Sequence, residues 1–131
     1  MLASVYVGMH REAEAQATCL RTLRLVEKHL EIHPDDARAL YLGAQSLSQM
    51  GEKARSLDWA RRALAIDPED CGILYNIACV YSLLGQTDDA LDCLEKAMSH
   101  AFLYQTWAQH DSDLDPIRDH PRFKALMARQ A

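Results

Sequence analysis

The chain has 131 residues, of which 49% are hydrophobic and 25% charged, and its formal net charge is −5. This length predicts one domain with a core of its own, and the ordinary composition argues against disorder. The negative charge and the lack of Lys and Arg clusters interleaved with aromatic residues argue against a nucleic-acid face and an anionic membrane surface. No apolar run approaches the roughly 20 residues that span a bilayer. Residues 1–8 lack the basic start of a signal peptide, so we expect a cytoplasmic protein whose four cysteines are reduced.

The first segment, residues 1–36, predicts a long helix. A turn is expected at Gly8, the helix is expected to run from about His10 to Ile32, and "EIHPDD" at residues 31–36 ends it. The apolar stretch before the predicted turn would leave an exposed strip at residues 1–9. Such a strip favours self-association, which makes homo-oligomerisation through this N-terminal edge one hypothesis for the protein.

The middle of the chain is an internal repeat. A shift of 34 residues superimposes residues 37–70 on residues 71–104 without a gap, and eight positions are identical. Chance at ordinary composition would give roughly two. The identical pairs are Leu40/Leu74, Tyr41/Tyr75, Ala44/Ala78, Ser48/Ser82, Gly51/Gly85, Leu57/Leu91, Asp58/Asp92 and Ala63/Ala97.

Each copy of the repeat predicts two helices. Apolar residues recur at helical spacing on both sides of Gly51 in the first copy and of Gly85 in the second. Glycine suits the turn because it adopts positive φ at no steric cost after a helix end. Small residues such as Ala44 and Ala63 let the two helices of a pair approach closely, while larger side chains fill the space to the next pair.

These residues carry a resemblance to tetratricopeptide repeats. The repeat length, the order of small and large residues, the turn glycines and the closing Pro68 all coincide with that family's pattern. Gly43 departs from it, standing where leucine is usual, and Ser56 stands where alanine is usual. The resemblance implies an all-α fold, a right-handed superhelix of antiparallel helix pairs. Residues 1–36 would then be a partial or atypical repeat, residues 37–70 and 71–104 two full repeats, and residues 105–131 a C-terminal cap.

In the family, the first helices of successive repeats line a concave groove that binds a peptide. The resemblance therefore implies a groove at ten positions here: Arg38, Tyr41, Leu42, Gln45, Ser48, Gln49, Tyr75, Asn76, Cys79 and Ser82. Tyrosines and amides suit such a surface because they give large contact area and adaptable hydrogen bonds. Some members of the family clamp the terminal carboxylate of a chaperone tail with a set of polar residues. Only Asn76 matches a position of that set here, which argues against a chaperone tail as the ligand.

Asp111, Asp113 and Asp115 alternate along "HDSDLDPIRDHPRF", as carboxylates do in a calcium loop. A calcium loop also needs glycine at its sixth place and glutamate at its twelfth, and Pro116 and Arg122 stand there instead. We therefore interpret the stretch as a closing device. The aspartates would cap a short helix, each proline would open a helix, and apolar side chains would cover the last repeat. The covering residues would be Leu114, Ile117 and Phe123, with Leu126 and Met127 following on the face of the last helix.

The segment from Trp107 to Leu126 also resembles the stretch that closes tetratricopeptide arrays in some bacterial signalling proteins, including class III nucleotide cyclases and serine/threonine kinases. This resemblance implies a place in a bacterial regulatory assembly, and nothing of a cyclase or kinase catalytic domain is present in the sequence.

The remaining candidates for chemistry are weak. His29 and His33 have a spacing that can bridge a metal, yet the sequence suggests no third ligand. The cysteines of the second copy are interpreted as core residues. No nucleophile–base spacing or phosphate-binding glycine loop is recognisable. We therefore expect no enzyme, no cofactor and no metal, but a protein that binds a protein or peptide partner. The alternative is a structural role, as a stacking segment of a longer array or as a homo-oligomer.

Overall fold

The computed structural model describes the backbone of residues 2–129 and the side chains of residues 11–129. Within these limits the chain forms seven α-helices and one 3-10 helix and contains no strand, which confirms the predicted all-α fold. The helices are α1 (Leu2–Ile32), α2 (Ala37–Gln49), α3 (Lys53–Ile66), α4 (Cys71–Leu83), α5 (Thr87–His100), α6 (Leu103–His110), the 3-10 helix (Ser112–Ile117) and α7 (Pro121–Ala128). Among the described residues, no helix combines the length and the apolarity needed to cross a bilayer.

The two repeats fold alike because the same residues begin and turn them. Asp36 and Asp70 lie 34 residues apart, and each accepts a hydrogen bond at the N-terminus of its helix, from the amides of Ala39 (3.2 Å) and Ile73 (3.0 Å). The predicted turn glycines adopt φ values of 82° at Gly51 and 79° at Gly85. The amide after each glycine donates to a carbonyl five residues back, at 2.9 Å in the first repeat and 2.8 Å in the second, which is a Schellman motif.

The core lies between the two helices of each pair and continues from one pair to the next. Ala44, Ala63, Ala78 and Ala97 are fully buried, as their small size predicts. Ser56 is also fully buried, and its hydroxyl donates to the Ala44 carbonyl at 2.7 Å, so the serine found in place of alanine has a hydrogen-bond partner.

A large residue on α3 accounts for the unusual glycine on α2. A methyl group added at Gly43 would overlap the ring of Trp59 and lie 3.2 Å from Val26 Cγ1. The equivalent pair in the second repeat is Ile77 and Cys93, in which the large and small residues are exchanged. The two repeats therefore fill the same space from opposite helices.

Helix α1 differs from the prediction at its N-terminal end. The predicted turn at Gly8 is wrong, because α1 is continuous from Leu2 to Ile32. Gly8 costs about 1 kcal/mol in a helix relative to Ala, and the good helix formers that follow it continue the helix. Within residues 11–32, α1 packs against α2 through Cys19, Leu23 and Val26, whereas residues 11–18 are exposed. The predicted self-association strip, residues 1–9, has side chains outside the described part of the chain.

Helix α6, the 3-10 helix and α7 form the structure that follows the second repeat, hereafter the C-terminal cap. Leu114, Ile117, Phe123 and Leu126 are buried in the core, as predicted, and the 3-10 helix packs against α4. His120 and Pro121 begin α7 as predicted, with the His120 ring accepting from the Arg122 amide. The expectation that Pro116 opens a helix is wrong. Asp111 caps the 3-10 helix from farther upstream, so Pro116 lies inside it, where its fixed φ is tolerated.

Candidate binding site

The predicted groove residues on α2 are accessible, but they do not share one surface. Tyr41 lines a cavity beside α4, Leu42 lies beside another hollow next to α1, and Arg38 borders both. Ser48 is half-buried and donates to the Gln45 carbonyl of its own helix at 2.7 Å. Gln49 is exposed and accepts a hydrogen bond from the Cys19 thiol at 2.8 Å.

Three of the four predicted groove residues on α4 are buried. Tyr75 is 5% exposed, Cys79 3% and Ser82 1%, so the expectation that they face an open groove is wrong. For Tyr75 and Cys79 the cause is the C-terminal cap, whose 3-10 helix packs against α4 and whose Asp111 lies beside both side chains. The Tyr75 hydroxyl donates to Asp111 Oδ2 at 2.8 Å, and burial followed by this hydrogen bond raises the pKa of Tyr75. Tyr75 and Cys79 therefore connect the second repeat to the cap.

Asn76, the fourth predicted residue on α4, lies between the two repeats. The Gln45 side-chain amide donates to Asn76 Oδ1 at 3.3 Å, and Asn76 in turn donates to the Gly72 carbonyl at 2.7 Å. This chain of hydrogen bonds joins α2 to α4. It fixes the orientation of a polar group at the wall of the cavity.

The cavity has a volume of about 590 Å³ and opens between the N-terminal ends of α2 and α4 and the C-terminal cap. This volume is within the range of about 300–1,000 Å³ that is typical of ligand sites. Arg38, Tyr41 and Asn76, which the sequence predicted, are among its lining residues. The structure thus brings three of the ten predicted positions together.

Aromatic residues of α6 form a wall of the cavity that the sequence did not predict. The Tyr104 ring stacks on Tyr75 with 5.3 Å between ring centroids, and Trp107 meets both rings edge-on at 5.2 and 5.8 Å. Trp107 nevertheless remains 49% exposed. The sequence pattern that could have predicted this aromatic wall was an amphipathic helix directly after the second repeat, where a third repeat would begin.

Four carboxylates also line the cavity, and they come from the two loops that connect the repeats. Asp35 and Asp36 lie between α1 and α2, and Asp67 and Asp70 lie between α3 and α4. Asp36 accepts from His29 Nε2 at 2.7 Å, and this hydrogen bond is the main cause that lowers the pKa of Asp36.

The histidine pair of α1 is accounted for by this contact. The rings of His29 and His33 lie 5.0 Å apart between centroids, and His29 is directed to Asp36. The pair therefore belongs to the connection between α1 and α2.

The three alternating aspartates of the C-terminal cap have different neighbours. Asp115 pairs with Arg118 at 2.9 Å, whereas Asp111 and Asp113 lie near the Cys79 thiol, and the three ligand atoms fall within 4.8 Å of one another. One thiol and two carboxylates could in principle hold a cation. Asp111 already accepts from the Tyr75 hydroxyl and from the Asp113 amide, and burial raises the pKa of the Cys79 thiol. The arrangement is that of a helix cap and its hydrogen-bond donors.

Two further residues close the cap, and sequence reasoning missed both. Arg118 donates to the carbonyls of Ala108 and Gln109 at 3.1 Å and of Asp111 at 2.7 Å, so it satisfies the C-terminal end of α6. Gln105 is buried and donates to the carbonyls of Leu126, Met127 and Arg129, so it satisfies the end of α7. Helices α6 and α7 are thereby each held by a side chain from another part of the cap, and α6 carries Trp107 at the cavity.

A family model matches residues 11–97, about two thirds of the chain, and its description is "Anaphase-promoting complex, cyclosome, subunit 3". No curated protein matches the chain. The resemblance of the closing segment to bacterial cyclases and kinases therefore stays a prediction. The match spans the later part of α1, the first repeat, and the second repeat as far as Ala97 in α5, and the matched family is one of TPR-like repeats. The chain belongs to the anaphase-promoting complex subunit 3 family of TPR-like helical repeats.

Proposed function

We propose that the protein binds an extended segment of a partner protein in the cavity between α2, α4 and α6, within a bacterial regulatory or signalling assembly. The TPR-like family indicates a protein–protein interaction module, and such families are typically non-catalytic. The family is described by a subunit of a complex, which supports a protein partner. The bacterial setting is supported by the resemblance of residues 107–126 alone.

The observation that carries the proposal is the cavity itself. It combines an exposed aromatic surface, Trp107, with a polar group of fixed orientation, Asn76, and both are held by the interlocked repeats and cap. Aromatic anchors in preformed pockets give most of the binding energy at protein interfaces, because they bury large area at little entropic cost. Tyr41 on the opposite helix completes a surface on which a peptide backbone and its side chains would be contacted from several sides.

The proposal is tested with peptides selected on the protein. A displayed library of short peptides is panned against the wild type, and the affinity of selected peptides is measured by fluorescence anisotropy. Loss of two aromatic contacts in Tyr41→Ala/Trp107→Ala should cost at least about 2 kcal/mol, which raises Kd about thirtyfold. The matched control is Leu83→Ala/Phe102→Ala, which removes two exposed apolar side chains outside the cavity and should leave Kd unchanged.

Circular dichroism of all variants separates lost binding from lost folding. Selected peptides that bind the cavity variant as tightly as the wild type, with its helix content intact, contradict the proposal.

A structural role is the second candidate, and the exposed face of α1 favours it. Leu25 is 70% exposed and Ile32 76%, which are large exposed fractions for apolar residues on a helix whose Cys19, Leu23 and Val26 pack against α2. We infer as the alternative that a second copy or a further repeat covers this helix. Light scattering after size-exclusion chromatography tests it: a dimer that Leu25→Glu/Ile32→Glu converts to a monomer supports this role, and a monomer in both cases contradicts self-association.

A further inference from the structure

We propose that the segment bound in the cavity is cationic, carrying Lys or Arg side chains next to an apolar residue. This inference rests on the proposed function and adds the chemistry of the partner. It follows from three properties of the cavity: its charge, the origin of that charge, and its aromatic wall.

The lining of the cavity is negative. Asp35, Asp36, Asp67 and Asp70 stand against the single guanidinium of Arg38, and four negative charges against one positive charge leave a formal charge of −3. The nearby carboxylates already act on that guanidinium. The hydrogen bond to Tyr41, and then the charges of Asp70 and Asp36, raise the pKa of Arg38. An anionic segment would therefore meet repulsion that one exposed arginine does not offset.

The helix dipoles do not cancel this charge. The N-termini of α2 and α4, each equivalent to about half a positive charge, face the cavity. However, the loops that begin these helices also end α1 and α3, whose C-termini each carry about half a negative charge. The four helix ends therefore roughly balance, and the charge of the carboxylates remains.

Two of the four carboxylates have no part in capping the helices. Asp36 and Asp70 accept hydrogen bonds from the amides of α2 and α4, which accounts for their position by helix stability alone. Asp35 is exposed and Asp67 half-buried, and neither side chain caps a helix. Their charge is available to a ligand.

The exposed aromatic ring suits the same ligand. A cation over the face of a tryptophan is attracted by the negative potential of the ring, and a neighbouring apolar side chain of the segment would contact Ile66, which is 42% exposed. A Lys or Arg side chain satisfies both requirements. Its long apolar stem covers aromatic surface while its charged end reaches the carboxylates.

Two synthetic peptides of equal length, one alternating Lys with Leu and the other alternating Glu with Leu, test the inference. The Lys peptide should bind the wild type, and its affinity should fall as salt is added. In Asp35→Asn/Asp67→Asn, which keeps side-chain size and both helix caps, Kd for the Lys peptide should rise about tenfold, because two attractive charges are lost. The control Asp58→Asn/Asp119→Asn removes the same charge outside the cavity and should change Kd less than about twofold.

The outcomes separate this inference from the proposed function. Equal binding of both peptides, or preference for the Glu peptide, overturns the cationic partner while leaving the cavity as a peptide site. The same holds if neither synthetic peptide binds a protein that does bind library-selected peptides. Equal weakening by the cavity variant and by its control also overturns the inference, because net charge alone would then explain the binding.

Discussion

Gly43 packs against Trp59, and this contact predicts an unusual effect of replacing the glycine with alanine. Such a replacement normally stabilises a helix, but here it should destabilise the protein. Alanine stabilises a helix interior by about 1 kcal/mol relative to glycine. At Gly43, however, the added methyl group would overlap the ring of Trp59, and that ring is only 8% exposed. Overpacking of this kind costs about 1–3 kcal/mol, so Gly43→Ala should lower the free energy of unfolding by up to about 2 kcal/mol.

The second repeat suggests a variant in which the same glycine substitution can be compared without the tryptophan ring. Trp59→Cys copies Cys93, and by itself it should cost about 3–5 kcal/mol because it leaves a cavity beside Gly43. In that background Gly43→Ala should become stabilising by about 1 kcal/mol, since the ring is gone and only helix propensity remains. Gly43→Ile/Trp59→Cys rebuilds the pair Ile77 and Cys93 and should recover more stability still.

Urea unfolding followed by circular dichroism measures these free energies as a double-mutant cycle. The predicted coupling between the two positions is about 1–3 kcal/mol. Gly43→Ala that stabilises the wild type as much as it stabilises Trp59→Cys would refute the reasoning, because the ring would then not occupy the space above the glycine.

Three further predictions concern the C-terminal cap. Leu114→Asp buries a charge at a fully buried site and should unfold the cap before the repeats, so that hydrogen exchange of residues 103–128 accelerates while α2 stays protected; the exposed Leu83→Asp should not do this. Asp113→Asn should raise Tm at pH 7. Burial raises the pKa of Asp113 above its usual 3.8, so the charged form destabilises the fold at neutral pH, and the gain should vanish once the pH falls below about 3.8, where the carboxyl is protonated in both states. Calcium added to the protein should leave Tm unmoved, because Asp115 is directed to Arg118; a rise in Tm with calcium would contradict the interpretation of this stretch as a closing device.

Local chemistry made the repeats predictable. Gly51 and Gly85 adopt the positive φ that was predicted for the turn glycines, and the side chains of Asp36 and Asp70 accept from amides only three residues away, so each residue acts on the chain next to it. The buried alanines follow from the same 34-residue spacing. Gly8 shows the limit of such reasoning, because the residue type that turns the chain at Gly51 lies inside the continuous helix α1 at Gly8.

The candidate site was only partly predictable because its shape depends on contacts between distant segments. Tyr75 has the same identity as Tyr41, yet the cap buries one of them and leaves the other beside the cavity. That difference depends on the 3-10 helix and on Asp111, which caps it and lies 36 residues after Tyr75 in the sequence. Neither has a counterpart in the repeat pattern. Gln105 and Arg118 act through carbonyls of remote helix ends, and a pattern of side-chain types does not record such partners.

Binding of a peptide in the cavity is tested most directly through the two tryptophans. Trp107 lines the cavity and is exposed, whereas Trp59 is buried between α2 and α3. In an NMR spectrum of the protein, their two indole N–H signals therefore report on two separate places. On titration with a library-selected peptide, the account predicts a saturable shift of the Trp107 signal with the Kd measured by anisotropy, while the Trp59 signal stays in place. A peptide that binds with the same Kd and leaves the Trp107 signal unmoved would contradict it.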